Sequence, residues 1–387
     1  MDWFIFDISV LVVCAAAFSY LAILTKQPII VAYIFCGILF GPWLLAWVKD
    51  IDFITAVSRL GITLLLFLAG IVLHPRHLAK LFRRTSIVTL GGSAVSFLLV
   101  FAYASLFNFS FVENIYIALA LMFSSTILAV KLLPTTKLHH GKIGAICIGI
   151  LIAQDLLAIM VLVLMRGFTN GAFTYLNIGL LVLKFIFLAA MAFLFEQFIL
   201  RKVLAQVDRF HETIFIISLA WCFGMAWLSN RLGLSFEIGA FLAGVALARH
   251  PISLFVSEQL KPLRDFFLVM FFFVLGAKIN LSILPKIFLP ALILTILFML
   301  AKPLLFMRLF RFSREDPVLA REASVRLGQA SEFSLLIALL AFELKHISLY
   351  ASQFIELVTI LSMIISSYIV VFSYPTPVGV REKLIQD

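Results

Sequence analysis

Apolar residues run along this chain in blocks of about twenty, separated by short breaks of charged, proline or glycine residues. The blocks lie near 3–25, 29–47, 54–73, 85–107, 114–132, 143–165, 175–196, 212–229, 233–249, 266–281, 287–307, 323–344 and 349–372. A helix rises about 1.5 Å per residue, so each block is long enough to cross the hydrocarbon core of a bilayer. The pattern predicts an all-α polytopic membrane protein of about 13 transmembrane helices in a single transmembrane domain over 1–387. The first block lacks a basic leader and a small-residue cleavage site, so it is expected to be a span, not a signal peptide.

An internal echo runs through the blocks. Leu66-Phe67-Leu68-Ala69-Gly70 in the third recurs as Phe272-Phe273-Val274-Leu275-Gly276 in the tenth. Upstream of each lies a second glycine phrase, Tyr33 to Gly37 in the second block and Gly239 to Gly244 in the ninth. Copies separated by an odd number of spans cross the membrane in opposite directions, which is the mark of inverted-topology repeats. The repeat makes blocks five and twelve counterparts, and both are interrupted by polar residues: Ser124-Ser125-Thr126 in one, Gly328-Gln329-Ala330-Ser331-Glu332 in the other. Paired interruptions predict two broken helices whose free carbonyls and helix ends can hold an ion. Intact helices with hydroxyls bonded to the preceding turn are the plainer alternative.

Composition agrees with the pattern. The chain is 63% hydrophobic and 13% charged, against about 25% charged in soluble domains. Its net charge of +10 would suit nucleic acid, but the basic residues follow membrane topology. With the N-terminus outside, inner loops hold Lys80, Arg83, Arg84, Lys137, Lys142, Arg201, Lys202, Arg308, Arg311 and Arg314, and outer segments hold far fewer. That positive-inside bias predicts an outer N-terminus and a cytoplasmic C-terminus. The lipid bilayer is the expected partner and nucleic acid is not. Cys14, Cys36, Cys147 and Cys222 are widely spaced within spans, which argues for packing roles and against a disulfide framework.

Charge inside the spans is the chemical signal. Asp155 lies in the middle of the sixth block, where a carboxylate costs roughly 2.5–3.5 kcal/mol on insertion scales. Such an acid is expected to bind a proton or a cation. Gln154 offers an amide oxygen beside it, and Ser124, Ser125 and Thr126 offer hydroxyls. Lys302, deep in the eleventh block, either pairs with Asp155 or snorkels to the inner surface. Glu332 and Arg326 are expected to make structural ion pairs. His139 and His140 are expected to fall in a solvated loop, and Glu237 to be a structural or interfacial acid.

These phrases resemble the monovalent cation:proton antiporter-2 family, and in particular its Kef-type, glutathione-regulated potassium-efflux members. The resemblance rests on Tyr33 to Gly37 with Gly41-Pro42, Leu65 to Gly70, Ser124 to Thr126, Gln154-Asp155, Gly233 to Gly244, and Gly328 to Phe333. It implies a sodium/proton antiporter-like fold in a homodimer. Core helices (about 85–165 and 287–372) would slide against a scaffold (about 1–84 and 197–286), joined by a linker helix (about 175–196) in an elevator-like cycle. By the same resemblance Gln154 and Asp155 form the cation and proton site, Ser124, Ser125 and Thr126 complete it, and Lys302 compensates charge. Gly328, Gln329, Ser331 and Glu332 shape the second crossing. No cofactor is implied beyond the transported ions. Val72 and His74 stand where the family carries acids, and Arg59 where it favours a glutamate. The chain stops about where a cytoplasmic nucleotide-binding domain would begin, so regulation by glutathione or nucleotides is not carried over from the resemblance, and a separate regulatory subunit is left open.

The sequence thus leads to a cation:proton antiporter, not an enzyme, in a bacterial cytoplasmic membrane, with Asp155 binding K+ or Na+ in competition with a proton. Gln-Asp in place of Asn-Asp or Asp-Asp tilts the expectation toward K+. A Na+/H+ antiporter of the same fold and a cation channel without proton coupling are the alternatives. An intramembrane aspartyl protease would want two acids sharing one site, and only one deep aspartate is visible.

Overall fold

The computed structural model describes residues 2–25, 27, 29–48, 50–72, 75–134, 142–165, 175–207 and 210–376. His74, His139 and His140 lie outside the described residues. Every regular element among those described is a helix. They are α1 (Asp2–Leu24), α2 (Ile29–Phe40), α3 (Ile51–Val72), α4 (Pro75–Ala104), α5 (Phe111–Leu121), α6 (Thr126–Lys131), α7 (Lys142–Met165) and α8 (Tyr175–Phe195). A π-helical turn, Glu196–Leu200, runs on into α9 (Arg201–Gln206). Then follow α10 (His211–Arg231), α11 (Phe236–Leu247), α12 (Ser253–Lys278), α13 (Leu284–Phe312), α14 (Pro317–Arg326), α15 (Glu332–Glu343) and α16 (Leu349–Ser373).

Each apolar block corresponds to one helix, except the fifth and twelfth, which divide into α5 with α6 and α14 with α15. The second block is helical only to Phe40, because Pro42 just beyond has no N–H to continue the ladder. α12 begins before its apolar block, at Ser253, and its first half carries Glu258, Lys261 and Arg264. Hydropathy alone does not register a helix that continues into polar surroundings. Among the described residues, eight helices are long and apolar enough to cross a membrane. Large side chains such as Leu183, Ile186 and Phe187 on α8, and Leu297 and Leu300 on α13, remain exposed, as lipid contact requires.

The chain forms two compact units. The first comprises Met1–Leu11, Trp47–Ala79 and Ile159–Val274. Within it α3 and α11 touch backbone to backbone: a Cβ on Gly244 would collide with the Phe67 carbonyl, and one on Gly70 with the Phe241 carbonyl. The Trp221 indole donates to the Ala243 carbonyl at 3.0 Å and ties α10 to the same helix.

The second unit comprises Val12–Ala46, Lys80–Ala158 and Leu275–Asp387. A Cβ on Gly276, at the end of α12, would collide with the Ile34 carbonyl of α2. The glycine phrases therefore pair third block with ninth in one unit, and tenth with second in the other. That exchange of partners is what two inverted copies of one motif produce. α4 runs along α13, with Gly92 against Phe306 and the Tyr103 hydroxyl donating to the Pro290 carbonyl at 3.0 Å. α16 packs on α13 and α15. The four cysteines are free, yet Cys14 and Cys36, distant in sequence, are side-chain neighbours.

Filling a backbone contact in this packing forces a helix to move. Gly276→Leu is expected to lower the thermal midpoint of the detergent-purified protein by several degrees, overpacking typically costing about 1–3 kcal/mol. Gly224→Ala, whose added carbon meets nothing within 4 Å, should leave the midpoint unchanged or raise it slightly.

Candidate functional site

Two chain breaks cross inside the second unit. α5 ends at Leu121, and the chain leaves it through a turn at Met122 and a bend at Phe123; Ser124 and Ser125 lie outside any helix, and α6 starts at Thr126. The serines divert backbone bonding here. The Ser125 hydroxyl accepts from the Leu128 N–H at 3.1 Å, capping the first turn of α6. The Ser124 hydroxyl donates to the Leu327 carbonyl at 2.8 Å, reaching across to the second break. α14 opens with Pro317 in its first turn and Asp316 accepting from the Val318 and Leu319 N–H groups, and it ends at Arg326. Gly328 follows, packed against Pro303. Ser331 then caps α15, accepting from the Phe333 N–H at 3.1 Å.

Further bonds stitch the crossing together. The Gln329 amide donates to the Ser125 carbonyl at 3.4 Å and its oxygen accepts from Ser366 at 3.1 Å. The Ser334 hydroxyl donates to the Ala120 carbonyl at 2.6 Å, and the Ser362 hydroxyl accepts from the Ala330 N–H at 3.0 Å. Broken backbone in a membrane interior survives only where its polar groups find such partners.

Lys302 is buried, 2% exposed, and does not pair with Asp155 or reach for the surface. Its ammonium donates to the Phe123 carbonyl at 2.8 Å and the Gln329 carbonyl at 3.0 Å. It also lies 4.6 Å from the centre of the Phe298 ring. The two carbonyls belong to the chain just past the C-terminal ends of α5 and α14, where the helix dipoles leave partial negative charge. The lysine therefore neutralises both broken ends together. Snorkelling fails because these acceptors are nearer than the interface.

Asp155 is 4% exposed. Its carboxylate accepts from the Thr126 hydroxyl at 3.2 and 3.1 Å. No cationic side chain among the described residues pairs with it. Gln154 faces elsewhere on α7: its amide oxygen accepts from the Ser124 N–H at 3.0 Å, and its amide donates to Ser93 at 3.3 Å. It braces the first break, and its oxygen is already engaged.

Glu332 also differs from expectation. Arg326 does not pair with it: the guanidinium bonds Glu322 at 2.8 Å, one turn back on the same helix, and the carbonyls of Leu132 and Pro375 at 2.7 and 2.8 Å. The break between residues 326 and 332 redirects the chain and carries Glu332 away. Buried at the first turn of α15, Glu332 is electrostatically coupled to Asp155. The site therefore holds two carboxylates where one had been expected. Glu237 lies in the first unit, in the first turn of α11.

Ser93, Ser362 and Ser366 belong to the crossing and were not singled out from sequence. A signal exists: Ser352, Glu356, Thr359, Ser362 and Ser366 recur at three- and four-residue spacing on α16, as Thr89, Ser93 and Ser96 do on α4. Polar residues at that spacing share one helix face. Among the described residues, no group of three or more His, Cys, Asp or Glu side chains could hold a metal ion. The oxygens present, a carboxylate and a hydroxyl, are hard donors suited to a weakly bound cation.

Two measurements check this wiring. Lys302→Met should lower stability strongly, because two buried carbonyls lose their donor, each costing about 1–3 kcal/mol. In a double-mutant cycle with Asp155→Asn the coupling should stay below about 1 kcal/mol, whereas a broken buried ion pair costs about 3–5. Gln154→Ala strands the Ser124 N–H and should cost about 1–3 kcal/mol in the same denaturation assay.

Comparison with known proteins agrees with the architecture. The family described as sodium/hydrogen exchanger, transmembrane, matches residues 8–373. The solved sodium proton antiporter MjNhaP1 of Methanocaldococcus jannaschii superposes with a TM-score of 0.73, at 16% identity, over 95% of each chain. That likeness shows the fold. Among curated relatives, the iron transporter MagA of Paramagnetospirillum magneticum is 28% identical over 89% of this chain and 79% of its own length. K(+) efflux antiporter 5 of Arabidopsis thaliana is 29% identical over 86% of this chain. The glutathione-regulated potassium-efflux protein KefC of Klebsiella pneumoniae is 28% identical over 80% of it. The aligned region spans 60% and 50% of those last two relatives. With the family match running over nearly its whole length, this chain belongs to the sodium/hydrogen exchanger transmembrane family, is related to the Kef-type antiporters, and is an integral membrane transporter, not an enzyme.

Proposed function

We propose that this protein exchanges a monovalent cation, K+ in preference to Na+, for protons, with Asp155 holding either the cation or a proton. One observation carries the reading: Asp155 is buried in a membrane helix without a cationic partner among the described residues, while the nearby ammonium of Lys302 is committed to two carbonyls. A carboxylate so placed is stable only when a proton or a bound cation accompanies it. Both ligands need the same oxygens, so binding of one excludes the other. Such competition couples the two fluxes without direct contact between the ions.

Thr126 supplies a hydroxyl oxygen next to the carboxylate, and Ser124, Ser125 and Gln154 hold the backbone that presents it. Glu332 adds a second carboxylate, whose charge acts on Asp155. Residues of about 85–165 and 287–372 form the moving core, sliding against about 1–84 and 197–286 through the linker at about 175–196. A crossing stapled by Lys302 can travel as one block without exposing its carbonyls to lipid, which supports an elevator-like cycle. The protein works as a homodimer, with its N-terminus outside and its C-terminus cytoplasmic, in line with the distribution of basic loops. A separate regulatory subunit is compatible with this arrangement.

Potassium is favoured by the potassium-efflux relatives. The name of the iron-transporter relative suggests another cargo, but carboxylates with hydroxyl neighbours lack the imidazole and thiolate donors that hold transition metals tightly.

Reconstitution into liposomes containing a pH dye tests the proposal. Pulses of K+ should drive proton release, Na+ should do so more weakly, and Asp155→Asn should abolish the response. The apparent KM for the cation should rise about tenfold per pH unit once the medium is acidic enough to protonate Asp155, because protons then occupy the site. Exchange at the wild-type rate by Asp155→Asn would falsify the competition mechanism. Equal K+ and Na+ responses would leave Na+/H+ exchange, and cation flux without proton movement would make the protein a channel.

A further inference from the structure

α16 carries a further, half-buried carboxylate that the crossing does not use. Glu356 lies seven residues from the start of the helix, on its internal polar face. The Ser352 hydroxyl donates to one carboxylate oxygen at 3.2 Å, and the Gln353 amide to the other at 3.5 Å. Gln353 is itself fixed to the end of α12. Its oxygen accepts from the Asn280 N–H at 2.9 Å, and its amide donates to the Lys278 carbonyl at 3.1 Å. Lys278 is the one charged side chain among the described residues that acts on Glu356. The helices packed on α16 bring no other to bear on it.

From Glu356 a row of buried hydroxyls leads inward. Thr359 and Ser362 are fully buried, and each donates to the carbonyl a turn behind it, at 2.8 Å. Their lone pairs remain available, since a hydroxyl both donates and accepts. Ser362 uses one to receive the Ala330 N–H. Ala330 stands two residues from Glu332, whose charge acts on Asp155. Six residues of helix, about 9 Å, separate Glu356 from Ser362. On α5, which packs against α16, Asn114 is 6% exposed and its amide oxygen has no hydrogen-bond partner. Buried acceptors of this kind are satisfied by ordered water in membrane interiors. A carboxylate and a row of hydroxyls in a largely apolar helix, with an unmet acceptor on the helix packed against it, are an expensive arrangement for packing alone.

We propose that Glu356 is a proton-relay residue, passing protons between the Lys278 end of α12 and the Asp155 site along the hydroxyl face of α16. The inference rests on the exchange reading above and adds a route to it. In each relay step a proton from solvent binds the Glu356 carboxylate. The resulting acid then gives up that proton through water and the Thr359 and Ser362 hydroxyls. An O–H bond breaks at Glu356 and another forms on the carboxylate of Asp155. No electrons are transferred. The cation takes no part in this row, which has one carboxylate and no ring of oxygens to replace a hydration shell.

The route is separable from cation binding, and that gives the test. Wild type, Glu356→Gln and Glu356→Asp are reconstituted in liposomes and assayed in two modes. One is cation-for-proton exchange with a pH dye. The other is cation-for-cation exchange at equal pH with a radioactive tracer, which needs no net proton movement. Glu356→Gln should slow the proton-coupled mode at least about tenfold, the low end of what a positioned acid–base group contributes, and should flatten its pH profile. The tracer mode should stay within about twofold, and Glu356→Asp should recover most of the proton-coupled rate. Retention of the tracer mode also shows that the variant is folded. Two modes slowed together mean a structural role and overturn the proposal, as does Glu356→Gln with wild-type rates in both. Absence of proton-coupled exchange in wild type would instead refute the function on which the relay depends.

Discussion

A single ammonium group holds the centre of this molecule together. Lys302 reaches the carbonyl just past α5 and the carbonyl just past α14, and so closes two chain breaks with one charge. In a bilayer interior every backbone polar group needs a partner, and the last carbonyls of a broken helix are the hardest to satisfy. A neutral donor could meet one of them. A cation meets both and also offsets the partial negative charge that two helix dipoles leave there. With those ends neutralised, Asp155 is left to interact with Thr126 and with whatever ion arrives. Lys302 serves the acid by staying away from it.

The helix count, both interruptions and the acid at position 155 are legible in the chain because each is local. Twenty apolar residues, a run of Ser and Thr, or a lone Asp among Ile and Leu carry their meaning within one turn or two. Partners are not legible, because they depend on helix rotation and on distant segments. Lys302 bonds residues 179 and 27 positions away, and nothing near it distinguishes that outcome from an ion pair with Asp155. Gln154 and Asp155 differ by about 100° around α7, which sends one to brace the break and leaves the other open. Arg326 and Glu332 look like a pair in sequence, but the break between them gives Arg326 to Glu322. The polar face of α16 was readable in principle, being periodic, but serines and threonines in an apolar helix draw little notice singly.

The repeated glycine phrases link the two levels. As text they are a weak echo, since apolar runs with glycine match often. In the fold, Gly70 with Gly244 and Gly276 with Ile34 make the same kind of contact with exchanged partners, a relation that chance similarity does not require. Small residues permit such close approach, and in membranes close approach supplies much of what holds helices together.

Those contacts bear on how the transporter can move. Where two helices meet through backbone, no layer of side chains lies between them to change rotamer and let one slip past the other. A shift of a fraction of an ångström already brings atoms into collision, so the pair responds like a single stiff beam. α3 with α11 is one such beam, and α2 with the end of α12 is another. Any rearrangement that carries an ion across must therefore leave these beams whole, and the freedom to deform lies in the side-chain-filled seams around them.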